Sequence, residues 1–173
     1  RLKKDSIESL YNLGATYATR GDWGVAMQYY QKVLDLDPGN GNALNNLGIV
    51  LTEKGDLTLA DKQFVKALEI LKNDPDVLYN LGLVRQKQGQ LDGDDGARKI
   101  YEDVLGLKPD HARAHNNLGV LLEKAGKRDE LATVLYTAAE TLRIVGSLLY
   151  PIMPAKMDEL RQTLTAQGAI VPA

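Results

Sequence analysis

Several residue types that support particular chemistries are missing from the chain or scarce in it. The 173 residues include no cysteine, which excludes disulfides, a thiolate nucleophile and a cysteine-based zinc site. No apolar run reaches the roughly 18 residues that a transmembrane helix needs, so we expect no membrane span. The net charge of −2 is far from the strongly basic balance typical of nucleic-acid-binding proteins, so no nucleic-acid partner is expected.

Signatures of catalysis and of metal binding are also absent from the sequence. It contains no nucleophile elbow, phosphate-binding loop or dinucleotide fingerprint, so we predict no catalytic residues, no cofactor and no enzymatic activity. His111 and His115 are too few for a zinc site, and His115 is expected to pack between helices. The acidic turn at 92–95 does not continue with the ligand spacing of a calcium loop. No metal site is therefore predicted.

The residues that are present describe an ordinary folded protein, with 44% hydrophobic and 25% charged side chains. We expect it to be soluble and favour the cytoplasm as its location, although a chain without cysteine is compatible with a reducing or an oxidising compartment. The sequence begins at Arg1 rather than at methionine, which is compatible with removal of a leader or an upstream domain.

A segment of a dozen residues recurs along the chain. NNLGIVLTEKGD at 45–56 returns in similar form as NNLGVLLEKAGK at 116–127, with NNLG unchanged, and two related copies begin at residues 11 and 79. The glycines shared by the copies, spaced by 34, 34 and 37 residues, are Gly14, Gly48, Gly82 and Gly119. A period of this size indicates a repeat array in which each unit packs on its neighbours.

Each repeat has the pattern of two antiparallel helices. In the first unit, Leu10, Leu13 and Tyr17 share one helical face, Gly21 interrupts the pattern, and a second amphipathic stretch ends at Pro38. The pattern L-x-x-L-G-x-x-Y, followed by A-x-x-x-Y/F and a proline, resembles the tetratricopeptide repeat. The resemblance implies an all-α fold, a right-handed α-solenoid of four helix-turn-helix units with a C-terminal cap.

The predicted boundaries follow the repeat. The four units are 7–40, 41–74, 75–111 with a three-residue insertion in its turn, and 112–145 with a degenerate second helix, followed by a helical cap at 146–168. Together they are expected to form one solenoid domain.

By the same resemblance, the first helices line a concave groove, and the sixth residue of each unit faces it. These residues are Asn12, Asn46, Asn80 and Asn117. An amide side chain donates and accepts at once, so such a row could hold the backbone of an extended peptide. The alternative is that these asparagines are ordinary repeat scaffold. Other expected lining residues are Tyr11, Asn45, Ile49, Tyr79, Leu83 and Asn116.

The groove hypothesis makes the chain a non-enzymatic adapter for a protein or peptide partner. Some members of the family bind chaperone C-terminal carboxylates through a clamp of Lys and Arg. That clamp is not expected here, because Tyr11, Asn45, Tyr79 and Asn116 stand where its lysines would be.

The C-terminal part of the chain differs from the repeats. The segments LATVLY at 131–136, ETLRI at 140–144 and LLYPIMP at 148–154 resemble the closing helices of the anticodon-binding domain of methionine–tRNA ligases. This resemblance, over about 122–168, implies an alternative function as a tRNA-ligase-associated platform.

The same part of the chain predicts a long helix near 129–150 and an amphipathic helix near 155–166. The simple interpretation is a cap on the last repeat. The other interpretation is a homo-oligomeric, self-assembling scaffold, since the apolar segment at 144–153 is more apolar than a cap needs. The residues expected at such a contact are Leu148, Leu149, Tyr150, Ile152 and Met153.

Overall fold

The computed structural model describes residues 2–149 of the protein, and every regular element in that part of the chain is an α-helix. In chain order the helices are α1 (Leu2–Thr19), α2 (Trp23–Leu36), α3 (Gly41–Lys54), α4 (Leu57–Leu71), α5 (Pro75–Lys87), α6 (Ala97–Leu107), α7 (Ala112–Lys124) and α8 (Arg128–Leu149). The long helix predicted near 129–150 is α8. The helix predicted at 155–166 lies outside the described residues, as does most of the predicted cap.

The turns inside the helix pairs are made by glycines with a positive φ. Gly55, with a φ of +86°, caps the C-terminus of α3, and Asp56 then donates its backbone N–H to the carbonyl of Leu51 at 2.9 Å. The glycines that follow α1, α5 and α7 adopt the same left-handed conformation, and they are Gly21, Gly89 and Gly126. Because glycine takes this conformation without steric cost, each one ends its helix and lets the chain reverse.

The turns between the pairs instead end in side-chain caps. The side-chain oxygen of Asn40 accepts from the backbone N–H of Ala43 at 3.0 Å, and Asp74 accepts from Val77 at 3.1 Å. These caps satisfy backbone donors that have no partner within the helix, which fixes where α3 and α5 begin.

The chain forms two compact units, Arg1–Ile100 and Tyr101–Ala173. In the first, consecutive helices from α1 to α5 contact one another around a hydrophobic core. Its most completely buried large side chains are Tyr30, Phe64, Val33, Val50 and Val84. In the second, α7 contacts α8, and the buried hydrophobic residues include Tyr101, Val104, Leu118, Leu121, Leu122 and Ala139.

The recurring glycine in the first helix of a pair permits close contact with the second helix. A Cβ atom at Gly14 would lie 2.8 Å from the ring of Tyr30, and one at Gly48 would lie 2.7 Å from the ring of Phe64. Real Cβ atoms do not approach other atoms so closely, so both aromatic rings occupy space that only glycine leaves open.

Leu13, one of the residues on the predicted apolar face of the first helix, is 42% exposed. Leu47 and Leu81 stand at the equivalent positions and are 5% and 6% exposed. Both leucines lie on helices that contact a preceding helix, since α2 contacts α3 and α4 contacts α5. In the part of the chain that the structure describes, Leu13 has no preceding helix pair to cover it.

The three-residue insertion forms an anchored turn between α5 and α6. Arg85 pairs through two guanidinium nitrogens with the carboxylate of Asp61 on α4, and its Nη1 donates to the backbone carbonyl of Asp95 at 2.9 Å. Arg98 forms a 2.8 Å ion pair with Asp92. The residues of this turn are therefore held by side chains of α5 and α6 rather than left without contacts.

Candidate functional site

Three of the four predicted asparagines lie on neighbouring helices of the first unit. Asn12 lies on α1, Asn46 on α3 and Asn80 on α5, and α3 contacts both of the other helices. Asn12 is exposed, whereas Asn46 and Asn80 are half-buried. The structure thus places amide groups on adjacent first helices, and the two that are half-buried have defined hydrogen-bond partners.

Asn46 is held by two tyrosines from the preceding helix pair. Its Nδ2 donates to the hydroxyl of Tyr11 at 2.8 Å and to the hydroxyl of Tyr30 at 3.3 Å. The two rings meet edge to face, with centroids 5.8 Å apart and planes at 63°. Burial raises the pKa of Tyr30, the neighbouring Tyr11 adds to this effect, and the hydrogen bond from Asn46 acts in the opposite direction. Asn46 therefore joins α3 to α1 and α2.

Asn80 has a different partner because the equivalent aromatic residue lacks a hydroxyl. Tyr30 precedes Asn46 by 16 residues, and Phe64 precedes Asn80 by the same interval, 80 − 64 = 16. The Nδ2 of Asn80 instead donates to the side-chain oxygen of Asn45 on α3, at 3.1 Å. This bond joins two lining residues to each other, and it leaves the aromatic core out of the contact.

The second unit repeats the tyrosine arrangement. Asn117 Nδ2 lies 3.4 Å from the hydroxyl of Tyr101, again 16 residues earlier in the chain, and Tyr101 is fully buried. The exposed Asn116 donates to the side-chain oxygen of Asn117 at 3.4 Å. In its hydrogen bond to a buried tyrosine hydroxyl, Asn117 thus resembles Asn46 rather than Asn80.

The other predicted lining residues differ in how much surface they present. Ile49 is 37% exposed, and Tyr11 and Leu83 are half-buried, so these three present surface beside the asparagines. Tyr79 is only 6% exposed. Its ring is part of the packing of α5, so it presents little of the apolar surface that was expected of it.

The histidines support the start of α7. The Nδ1 of His111 accepts from the backbone N–H of Ala114 at 3.1 Å. The Nε2 of His115 lies 2.8 Å from the carbonyl oxygen of Pro109, which can only accept, so this nitrogen carries the proton. Both rings are buried, as expected for His115. Among residues 2–149, no three metal-ligating side chains come together, and no helix is long and apolar enough to cross a membrane.

Two features of the described chain were not predicted from the sequence. One is the use of tyrosine hydroxyls as partners for the amides, for which the available signal was tyrosine rather than phenylalanine at positions 30 and 101. The other is a stack of Tyr17 on Tyr29, with centroids 5.5 Å apart and planes within 6°. Arg20 and Lys32 lie over these rings, 5.9 and 5.1 Å from the centroids, and the stack joins α1 to α2.

Several solved structures with helical repeats are similar to this chain. Among solved structures, MamA is 29% identical with a TM-score of 0.71, over 78% of this chain and 77% of its own. The first tetratricopeptide domain of Spaghetti, bound to the HSP90 peptide SRMEEVD, is 23% identical with a TM-score of 0.66. The alignment covers 70% of this chain and 94% of the Spaghetti domain. An O-GlcNAc transferase mutant from Thermobaculum terrenum is 25% identical with a TM-score of 0.70, over 80% of this chain and 26% of its own.

Searches by sequence identify the repeats and give no support to a tRNA ligase. The curated proteins contain no match to the chain, and the resemblance of residues 122–168 to methionine–tRNA ligases is not supported by any comparison. One model described as TPR repeat matches residues 50–89, and three described as tetratricopeptide repeat match 7–40, 29–62 and 79–141. Tetratricopeptide repeats are therefore recognised along residues 7–141, and the all-α fold of the described chain is the fold of solved tetratricopeptide-repeat structures.

Proposed function

We propose that the protein is a non-enzymatic adapter that holds an extended segment of a partner protein along α1, α3 and α5. The observation that carries the proposal is the set of amides on these neighbouring helices, in which Asn80 is held in place by a side-chain hydrogen bond to Asn45. Amides that are already ordered lose little conformational freedom on binding, so they favour a ligand that offers peptide groups.

The surroundings of the amides indicate the kind of segment. Ile49 on α3 and Leu83 on α5 present apolar surface in the same first helices. We expect uncharged, apolar side chains to alternate with the peptide groups that the amides hold. Weak to moderate affinity is expected, because ordering an extended segment opposes binding.

One solved neighbour supports a peptide as the class of ligand. The tetratricopeptide domain of Spaghetti binds an HSP90 peptide that ends in the acidic sequence EEVD. By the resemblance to family members that bind carboxylates with a Lys and Arg clamp, Tyr11, Asn45 and Tyr79 stand where lysines are expected, so this chain is not expected to hold a terminal carboxylate in that way. The proposed ligand is therefore an internal, uncharged segment.

A peptide display experiment tests the proposal. Random dodecapeptides are selected on the full 173-residue chain, and the selected peptides are measured against Ile49→Asp on α3 and Val65→Asp on α4. These two residues are matched, at 37% and 38% exposure. Binding should fall at least about tenfold in Ile49→Asp, because a charge is placed among the lining residues, and stay within about twofold in Val65→Asp. Equal binding by both variants would place the ligand elsewhere.

Self-association is a second candidate function, favoured by one observation. Leu135 and Tyr136 are adjacent on α8, and each is 52% exposed. They precede the predicted contact residues, of which Tyr150, Ile152 and Met153 lie outside the described residues and Leu148 and Leu149 have no described side chains. Light scattering of the wild-type chain and a Leu135→Gln/Tyr136→Gln variant at high concentration tests it. A monomer mass for the wild type would rule it out.

A further inference from the structure

We propose that the Asn45–Asn80 pair is the subsite that binds a main-chain peptide group of the extended ligand, and that Phe64 keeps this pair available. The inference rests on the proposed function and assigns unequal roles to asparagines that look equivalent in the sequence. In it, Asn46 and Asn117 are mainly structural residues, whereas Asn80 is a ligand-binding residue.

The first step is the comparison of the three positions. Asn46 and Asn117 each direct a side-chain N–H to a tyrosine hydroxyl 16 residues earlier. Those tyrosines, Tyr30 and Tyr101, are at most 1% exposed. An N–H used to satisfy a buried hydroxyl is costly to divert to a ligand. Asn80 has no such commitment, because Phe64 offers no acceptor.

The second step is that Phe64 occupies the same place as Tyr30. The Cε1 atom of Phe64 lies 2.7 Å from the ideal Cβ position at Gly48, and that of Tyr30 lies 2.8 Å from the ideal Cβ position at Gly14. Both rings are held by an equivalent contact with the glycine of their own helix pair. A hydroxyl added to Phe64 would therefore lie where Asn80 could donate to it.

The third step is the hydrogen-bonding capacity of the pair. Each carboxamide has two N–H donors and an oxygen that accepts two hydrogen bonds. In the described chain, the only hydrogen bond of these two side chains is the one from Asn80 Nδ2 to Asn45 Oδ1, at 3.1 Å. The amide nitrogen of Asn45 and the oxygen of Asn80 are thus left for a ligand. A peptide group offers the complementary carbonyl and N–H.

The occupant that fits is the backbone of an uncharged, extended segment. Asn45 and Asn80 are both half-buried, so hydrogen bonds made there are partly shielded from water. Neither amide carries a charge, and a free carboxylate would find no ionic partner in the pair itself. The pair would fix the position of one peptide group, and with it the alignment of the ligand along α3 and α5.

The test is Phe64→Tyr, with Tyr30→Phe as the matched control. Fluorescein-labelled dodecapeptides from the display experiment are titrated into each full-length variant. Phe64→Tyr should weaken binding about threefold to tenfold, because Asn80 now donates to the new hydroxyl and moves away from Asn45. Tyr30→Phe releases Asn46 instead and should leave binding within about twofold. The side-chain NH2 signals of Asn80 in ¹⁵N NMR spectra should shift in Phe64→Tyr without any peptide present.

Asn80→Ala and Asn45→Ala keep the inference testable if Phe64→Tyr does not fold, and each should weaken binding by a similar factor. Full binding in both alanine variants, together with loss of binding in Ile49→Asp, would overturn the subsite while the proposed function survives. An unchanged Asn80 signal in a folded Phe64→Tyr variant would also overturn it. If no selected peptide depends on Ile49, the proposed function fails and the subsite fails with it.

Discussion

The α3–α4 pair and the α7–α8 pair share the segment NNLG in their first helices but pack differently. In the first, the Phe64 ring reaches to within 2.7 Å of where a Cβ of Gly48 would be. In the second, the atom nearest to the equivalent position at Gly119 belongs to Leu131, at an ordinary 3.6 Å. Leu135 stands where the repeat expects the aromatic residue, and it is 52% exposed.

The difference shows that the recurring NNLG segment does not by itself determine how a pair packs. The glycine offers space, but a large aromatic side chain on the second helix has to fill it. α8 brings Leu131 to the glycine, so a smaller side chain and a looser contact replace the aromatic ring. The second helix therefore decides whether the pair is tightly packed.

Truncating the side chains that distinguish the two pairs should produce the largest difference in the free energy of unfolding. Phe64→Ala is expected to lower the free energy of unfolding by about 3–5 kcal/mol, because a ring that is 1% exposed leaves a cavity. Leu135→Ala is expected to change it by less than about 0.5 kcal/mol. Urea denaturation followed by circular dichroism measures both, and comparable losses would show that α8 packs as α4 does.

Replacing the shared glycine by alanine should change the stability by a smaller amount, and the sign of the change should differ between the two pairs. Gly48→Ala is expected to destabilise by about 1–3 kcal/mol, since the Phe64 ring has to shift. Gly119→Ala is expected to stabilise by up to about 1 kcal/mol, because alanine favours the helix and the contact with Leu131 is ordinary. Thermal unfolding of the two variants is the measurement. Destabilisation by Gly119→Ala would contradict the looser contact.

The smallest expected effect is a change in stability at alkaline pH. Burial raises the pKa of Tyr30, so above the usual tyrosine pKa of about 10 the unfolded chain loses this proton more readily than the folded one. Stability should therefore fall as the pH rises past about 10, and this loss should be smaller in Tyr30→Phe. Urea denaturation of wild type and variant at about pH 8 and pH 10.5 tests it. Equal losses in the two proteins would show that Tyr30 does not contribute.

The sequence predicted the features that depend on spacing alone. The interval between the recurring glycines indicated a repeat array, and helical periodicity indicated two helices in each unit, in agreement with the all-α fold of the described chain. The division into four units with the boundaries given above stays a prediction, and so does ligand binding by the lining residues.

The hydrogen bonds of the amides could not be predicted in the same way. Asn46 and Asn80 occupy equivalent positions in two copies of the repeat, and the aromatic residues 16 positions before them, Tyr30 and Phe64, differ by a single hydroxyl. Whether that hydroxyl lies within reach depends on the position of the ring, which is set by packing in three dimensions. The burial of Tyr79 and the exposure of Leu13 likewise depend on which helices are neighbours, and helical periodicity does not contain that information.

The anchored turn at 91–96 has a consequence for how the repeat tolerates a change in length. The three extra residues precede α6, so they do not alter the interval of 16 residues between Tyr101 and Asn117, which equals the interval between Tyr30 and Asn46. A unit can thus grow within its own turn while the distance along the chain from its second helix to the next unit stays constant. Insertions at this turn, unlike insertions after the second helix, leave the bond between tyrosine and asparagine intact.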